Sequence, residues 1–152
     1  MYLKFVKCLF PGAIFAALLM LQTFAQAAGQ EAAVNIPDTP EGIWQAVDKE
    51  TDEIAKMIQS GAIRGLHQHA FAVRDLVAAL PAVSASLPAD RLDKVKSDSK
   101  FVATLAARLD AAGDTNDKPA AESNFGKLKD VLKKIRDNYA GTSPEMMNSG
   151  KP

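Results

Sequence analysis

The chain has 152 residues, with 18 Lys and Arg against 18 Asp and Glu, two histidines and one cysteine. Basic and acidic residues alternate along it, which excludes the concentrated basic surface that a nucleic-acid binder needs, and a single cysteine excludes an internal disulfide framework. A chain of this size can form one domain that buries roughly two thirds of its unfolded surface.

Residues 1–27 read as an export signal. Lys4 and Lys7 form a basic start, residues 9–24 are an apolar run, and Ala25-Gln26-Ala27 supplies small residues for a cut before Ala28. The run is about 16 residues long, short for a membrane span, and Pro11-Gly12 interrupts it. The expectation is a cleaved signal, a periplasmic product and no membrane span in the mature chain. Cleavage removes Cys8, and with it thiolate-ligated metals, covalently attached haem and cysteine nucleophiles. It also removes Lys4 and Lys7, leaving 16 basic residues against 18 acidic ones, a net charge near −2.

Residues 28–38 show no period and read as a disordered leader. Thr39-Pro40-Glu41 then supplies a capping hydroxyl, a proline suited to a first turn and an acid at the positive helix end. Ile43, Val47, Thr51, Ile54 and Ile58 follow at helical spacing until Ser60-Gly61, which predicts a first helix over 40–60. Trp44 is expected to cap one end of the core. In the second segment Ile63, Leu66, Ala70, Val73, Val77 and Leu80 keep an unbroken alternation of three and four, and Pro81 is expected to stop it.

The third helix is predicted over 88–112, with Asp90 at its start, a stripe of Leu92, Val95, Ser99, Val102, Ala106 and Leu109, and Gly113 as its terminator. Asp110, Asp114, Asn116 and Asp117 lack the spacing and terminal Glu of a helix–loop–helix calcium site and read as a polar turn and a helix cap. Ala121, Phe125, Leu128, Leu132, Ile135 and Tyr139 form the last stripe, Gly141 closes it, and residues 142–152 read as a flexible tail. Four amphipathic helices on short connections predict an all-α, antiparallel up-down-up-down four-helix bundle over residues 39–141. Ala70 and Ala106 are placed in its core.

The two histidines, in Leu66-His67-Gln68-His69-Ala70-Phe71, are the candidate metal ligands. Successive helical residues turn by about 100°, so positions two apart point about 200° around the axis and cannot chelate one ion together. His67 and His69 fall about 80° to either side of the apolar stripe, where each would meet a different neighbouring helix. A frayed first turn after Gly65 would be needed for both to face alike. Boundary histidines without any ligand satisfy the same pattern. If an ion is bound, imidazole suits copper(II), zinc, nickel or cobalt, and Met57, Met146 and Met147 could add soft donors for copper(I).

No serine lies in a nucleophile motif, no carboxylate pair stands out, and no Glu-x-x-His of the di-metal bundles is present. The expectation is a protein without catalytic residues. Arg74 and Asp75 are expected to join pairs between helices.

The order of an export signal, four helices and a closing Lys-Leu-Lys-Asp-Val-Leu-Lys-Lys-Ile-Arg-Asp-Asn-Tyr segment resembles the periplasmic cytochromes of the b-type and c′ type. The resemblance implies the bundle and, with it, a cytochrome-like haem carrier as one alternative. The b-type Met early in helix one, its His after helix four and the c′ Cys-x-x-Cys-His are all missing here, which argues against haem. Ile43-Trp44-Gln45, the segment from His67 to Pro81 and Lys100-Phe101-Val102-Ala103-Thr104-Leu105-Ala106 resemble small exported proteins that accompany bacterial heavy-metal efflux systems. That resemblance implies a part in copper or cobalt, zinc and cadmium resistance, with His67 and His69 as ligands and efflux components as partners. A metal-free adaptor that presents a helix face to such a component is the alternative.

Overall fold

The computed structural model describes residues 34–140. The expected signal peptide, most of the leader, Gly141 and the tail at 142–152 lie outside the described residues. Among the described residues the fold is all-α: α1 (Pro40–Ser60), a 3-10 turn (Ile63–Gly65), α2 (Leu66–Val83), α3 (Ala89–Asp114) and α4 (Lys118–Asp137). Each helix packs on the one before it, and α1 meets α4 more thinly than the other neighbours meet each other. This is the up-down-up-down bundle that short connections impose, because a helix followed by only a few residues must return beside itself. None of the described helices is long and apolar enough to cross a membrane.

The core follows the stripes. Ile43, Val47 and Ile54 of α1, Leu66, Ala70, Val73, Val77 and Leu80 of α2, Val95, Val102, Ala106 and Leu109 of α3, and Ala121, Leu128 and Ile135 of α4 are all almost fully buried. Each buried Leu, Ile or Val side chain contributes about 1.5–3 kcal/mol. Trp44 closes one end, its ring 6.0 Å from Tyr139 in an edge-on contact at 81°. Thr39 caps α1, its hydroxyl accepting from the Gly42 N–H at 3.1 Å, and Asp117 caps α4 by accepting from the Ala120 N–H at 3.0 Å.

Four boundaries differ from the sequence expectation. Pro81 lies inside α2. It withholds only the N–H that would meet the Val77 carbonyl, and the helix runs on to Val83; the Ser84 hydroxyl, one residue past that end, takes up the Leu80 carbonyl at 2.6 Å. Gly113 does not end α3 but is buried within it. A Cβ at that position would stand 2.7 Å from the Ile63 carbonyl oxygen, so the glycine serves close approach. The left-handed residue that turns the chain is Asn116, with φ of 54°.

Regular α4 ends at Asp137, and tighter bonds from the Asn138 and Tyr139 N–H groups to the Ile135 and Arg136 carbonyls carry the chain on. Arg91 of α3 donates to the Asn138 and Ala140 carbonyls there. Finally, residues 34–38 form no helix or strand, yet Val34 packs against the core. Gly42 leaves room for Pro37, whose Cβ would stand 2.8 Å from a Cβ at position 42.

Candidate functional site

The histidines are positioned by the turn that precedes them. Gly61, at φ of 78°, ends α1, and the 3-10 turn hands the chain to α2 at Leu66. Leu66 and Ala70 are both fully buried. With these two pointing inward, the residues between them go to the flanks, and the first turn of α2 holds them there without fraying.

His67 faces α3, where its Nδ1 lies 2.9 Å from Asp110 Oδ1. Its ring also meets the Phe71 ring edge-on at 4.6 Å. His69 faces α1, where its Nδ1 lies 2.7 Å from Glu50 Oε2. The side chain of His67 is 47% exposed and that of His69 25%. The two imidazoles therefore diverge onto opposite edges of α2, as the turn of about 200° requires.

Glu50 does not stand out in the sequence, and Asp110, read there as part of the polar turn, lies within α3 instead. Glu50 lies between the core positions Val47 and Ile54, and Asp110 follows the core residue Leu109, so each stands on the margin of its own stripe. That placement is the one signal that marks them as boundary acids. Their pairing with particular histidines depends on which helices are neighbours.

One turn beyond Glu50, Glu53 belongs to the same edge. Lys56 donates to its Oε1 at 2.7 Å. The hydrogen bond and charge of Lys56 hold the Glu53 carboxyl below the usual carboxylate range, with a smaller contribution from His69. Glu53 in turn raises the Lys56 ammonium.

Arg74 and Asp75 bind each other, Nε to Oδ1 at 2.7 Å and a second guanidinium nitrogen to Oδ2 at 3.1 Å. The planar guanidinium also lies over the Phe71 ring at 4.3 Å, so these contacts run along α2. Met57 packs its methyl group where a Cβ of Gly65 would be. Met146 and Met147 lie outside the described residues.

Among the described residues no three His, Cys, Asp or Glu side chains form a group able to hold a metal ion. The donors present fit an open site, with one imidazole and water around the ion, and do not fit a closed structural site. Among the described residues the fully buried core holds no imidazole or thioether, Met57 packs only against its margin, and both histidines face carboxylates, an arrangement that does not fit a haem iron within the bundle.

The thin α1–α4 contact forms a second feature. Two adjoining cavities of about 250 and 360 Å³ lie along this seam, both lined by Asp48 and Arg136. These two residues bridge the helices at 2.6 Å, and the Arg136 guanidinium also lies over the Trp44 ring at 4.5 Å. Val47, Thr51 and Leu132 line the smaller cavity beside Lys129 and Lys133.

No protein-family model, curated protein or solved structure matches this chain.

Proposed function

We propose that this is an exported, periplasmic bundle without enzymatic activity that takes up a transition-metal ion at its α2 histidines as an accessory or metal-responsive part of a heavy-metal resistance system. Copper(II), zinc, cobalt and nickel are the ions that suit imidazole. The observation that carries the reading is the contact of each histidine with a carboxylate through Nδ1, at 2.7 Å for His69 and 2.9 Å for His67. Metal-ligating histidines commonly donate one ring N–H to a carboxylate. The contact sets the tautomer and leaves the lone pair on Nε2.

Each histidine serves its own ion, because the two face different helices. A site with one imidazole and water exchanges its ion readily, which suits transient holding or sensing better than permanent storage.

The test is the thermal midpoint of the purified exported chain with and without copper(II), zinc, cobalt and nickel. Saturation at 100 times the dissociation constant adds about 2.7 kcal/mol to native stability, a rise of several degrees for a domain of this size. The rise should fall in His67→Ala and His69→Ala. A midpoint unmoved by every ion would refute the reading.

The α1–α4 seam favours a second reading, a metal-free adaptor that presents this face to an efflux component. Lys129, Lys133 and Arg136 rise on one wall over the apolar floor of Val47 and Leu132, an arrangement that complements an acidic amphipathic segment. On this reading, a partner retained from periplasmic extract by the wild type would be lost with Lys129→Glu combined with Lys133→Glu. Failure to retain a reproducible partner would count against it.

A further inference from the structure

We propose that the larger cavity of the α1–α4 seam binds a small zwitterion, an α-amino acid with an apolar side chain, whose ammonium meets the Glu41 carboxylate and whose carboxylate meets the Trp44 indole N–H and the Arg136 guanidinium. This site is separate from the two histidines and needs no metal ion.

Pro40, Glu41, Trp44, Asp48, Arg136 and Tyr139 line this cavity of about 360 Å³, at the lower end of the range for small-molecule sites, about 300–1,000 Å³. Two of its polar groups are left open by the fold. Trp44 is only 9% exposed, and among the described residues its Nε1–H meets no acceptor. A buried donor without an acceptor is costly and correspondingly rare. Glu41 stands in the first turn of α1, and among the described residues no Lys, Arg or His pairs with its carboxylate. An open donor and an open acid in one cavity call for a ligand that carries both an acceptor and a cation. An anion alone would meet an excess of negative charge, since Glu41 and Asp48 outnumber Arg136, and a cation alone would leave the Trp44 N–H unmet. A zwitterion satisfies both groups.

Arg136 supplies the second contact to the ligand carboxylate. It donates one N–H to Asp48 at 2.6 Å, and a guanidinium has five. It also lies over the Trp44 ring at 4.5 Å and so covers the indole. The side chains of Arg136 and Asp48 are 48% and 58% exposed, and an exposed pair of this kind contributes little to stability. The guanidinium can therefore turn from the indole toward a ligand without repacking the core. Pro40 and the Tyr139 ring, 6.0 Å from that of Trp44, then take the apolar side chain. The Tyr139 hydroxyl is engaged with Ser84 at 2.8 Å and stays out of the recognition.

Trp44 is the only tryptophan of the chain, so its emission reports on this cavity. Fluorescence and calorimetric titrations of the full chain with three compounds test the proposal: free leucine, isocaproate, which lacks the ammonium, and isoamylamine, which lacks the carboxylate. Leucine should shift the Trp44 emission and bind at least about tenfold more tightly than either analogue. Glu41→Gln should weaken leucine by about tenfold without weakening isocaproate. Arg136→Gln should do the converse, weakening leucine without weakening isoamylamine. This exchange of preference is a readout that a loss of stability alone would not give. Lys133→Gln, in the adjoining cavity, is the control and should leave leucine binding unchanged.

No emission change and no heat with leucine up to about 10 mM would overturn the inference. Equal affinity for the three compounds would overturn it as apolar partition, and leucine binding indifferent to Glu41→Gln and Arg136→Gln would place the ligand elsewhere and overturn it too. Each of these results leaves the metal reading of the histidines standing.

Discussion

Gly113 of α3 passes so close to the 3-10 turn that a Cβ on it would stand 2.7 Å from the carbonyl oxygen of Ile63. Ile63 begins the turn that delivers Leu66 and the two histidines to α2, so this contact braces the base of the candidate site. The obstacle is backbone, which cannot rotate away as a side-chain tip can. Gly113→Ala is therefore expected to destabilise the fold by about 1–2 kcal/mol, an overpacking cost partly offset by the better helix propensity of alanine. A Cβ on Gly126 of α4 would meet nothing within 4 Å, and Gly126→Ala should stabilise by about 1 kcal/mol. Urea denaturation of both variants reads the opposite signs.

The two histidine contacts sit on opposite edges of α2, one to Asp110 and one to Glu50. Losses of stability from His67→Ala and His69→Ala should then add in the double variant to within about 0.5 kcal/mol. A coupling well above that in a double-mutant cycle would mean that the two edges communicate through α2.

Tyr139 gives the fold an alkaline limit. Its hydroxyl lies 2.8 Å from Ser84 Oγ, and burial raises its phenol above the ordinary value, an effect that the Ser84 hydrogen bond partly opposes. Above pH about 10 the unfolded chain releases this proton while the folded chain retains it. The corresponding stability is complete below that pH and is lost as pH rises through the folded value. Tyr139→Phe should cost about 0.5–1.5 kcal/mol at pH 8 through the lost hydrogen bond. The gap between wild type and variant should narrow from about pH 9 to about pH 11 in denaturant titrations.

Asp117 closes the N-terminus of α4 by accepting from the Ala120 N–H. Asp117→Ala should cost about 1 kcal/mol, and Asp117→Asn much less, because the amide oxygen can still cap. Thermal unfolding of the two variants separates the cap from the charge.

The helices themselves were legible because burial follows periodicity. Every residue of the Ile63, Leu66, Ala70, Val73, Val77 and Leu80 stripe is buried, and no arrangement other than one helical face, extended back through the preceding turn, hides that set. The ends were less legible, since Pro81 and Gly113 carry signals for stopping that their surroundings override. Pro81 withholds one N–H without breaking α2, while Ser84 beyond it takes up the Leu80 carbonyl, and Gly113 is small for the sake of Ile63. The second reason lies in a distant neighbour that local sequence does not specify.

The candidate site divides in the same way. That His67 and His69 diverge is a property of α-helical rotation and was determined by the sequence alone, as were the all-α class, the four apolar faces and the caps at Thr39 and Asp117. That His67 meets Asp110 and His69 meets Glu50, across 43 and 19 residues of chain, was decided only by the tertiary structure. Rotation about a helix axis sets the direction of a side chain, whereas its partner depends on which helix packs there and at what height, and both follow from the way the whole core closes.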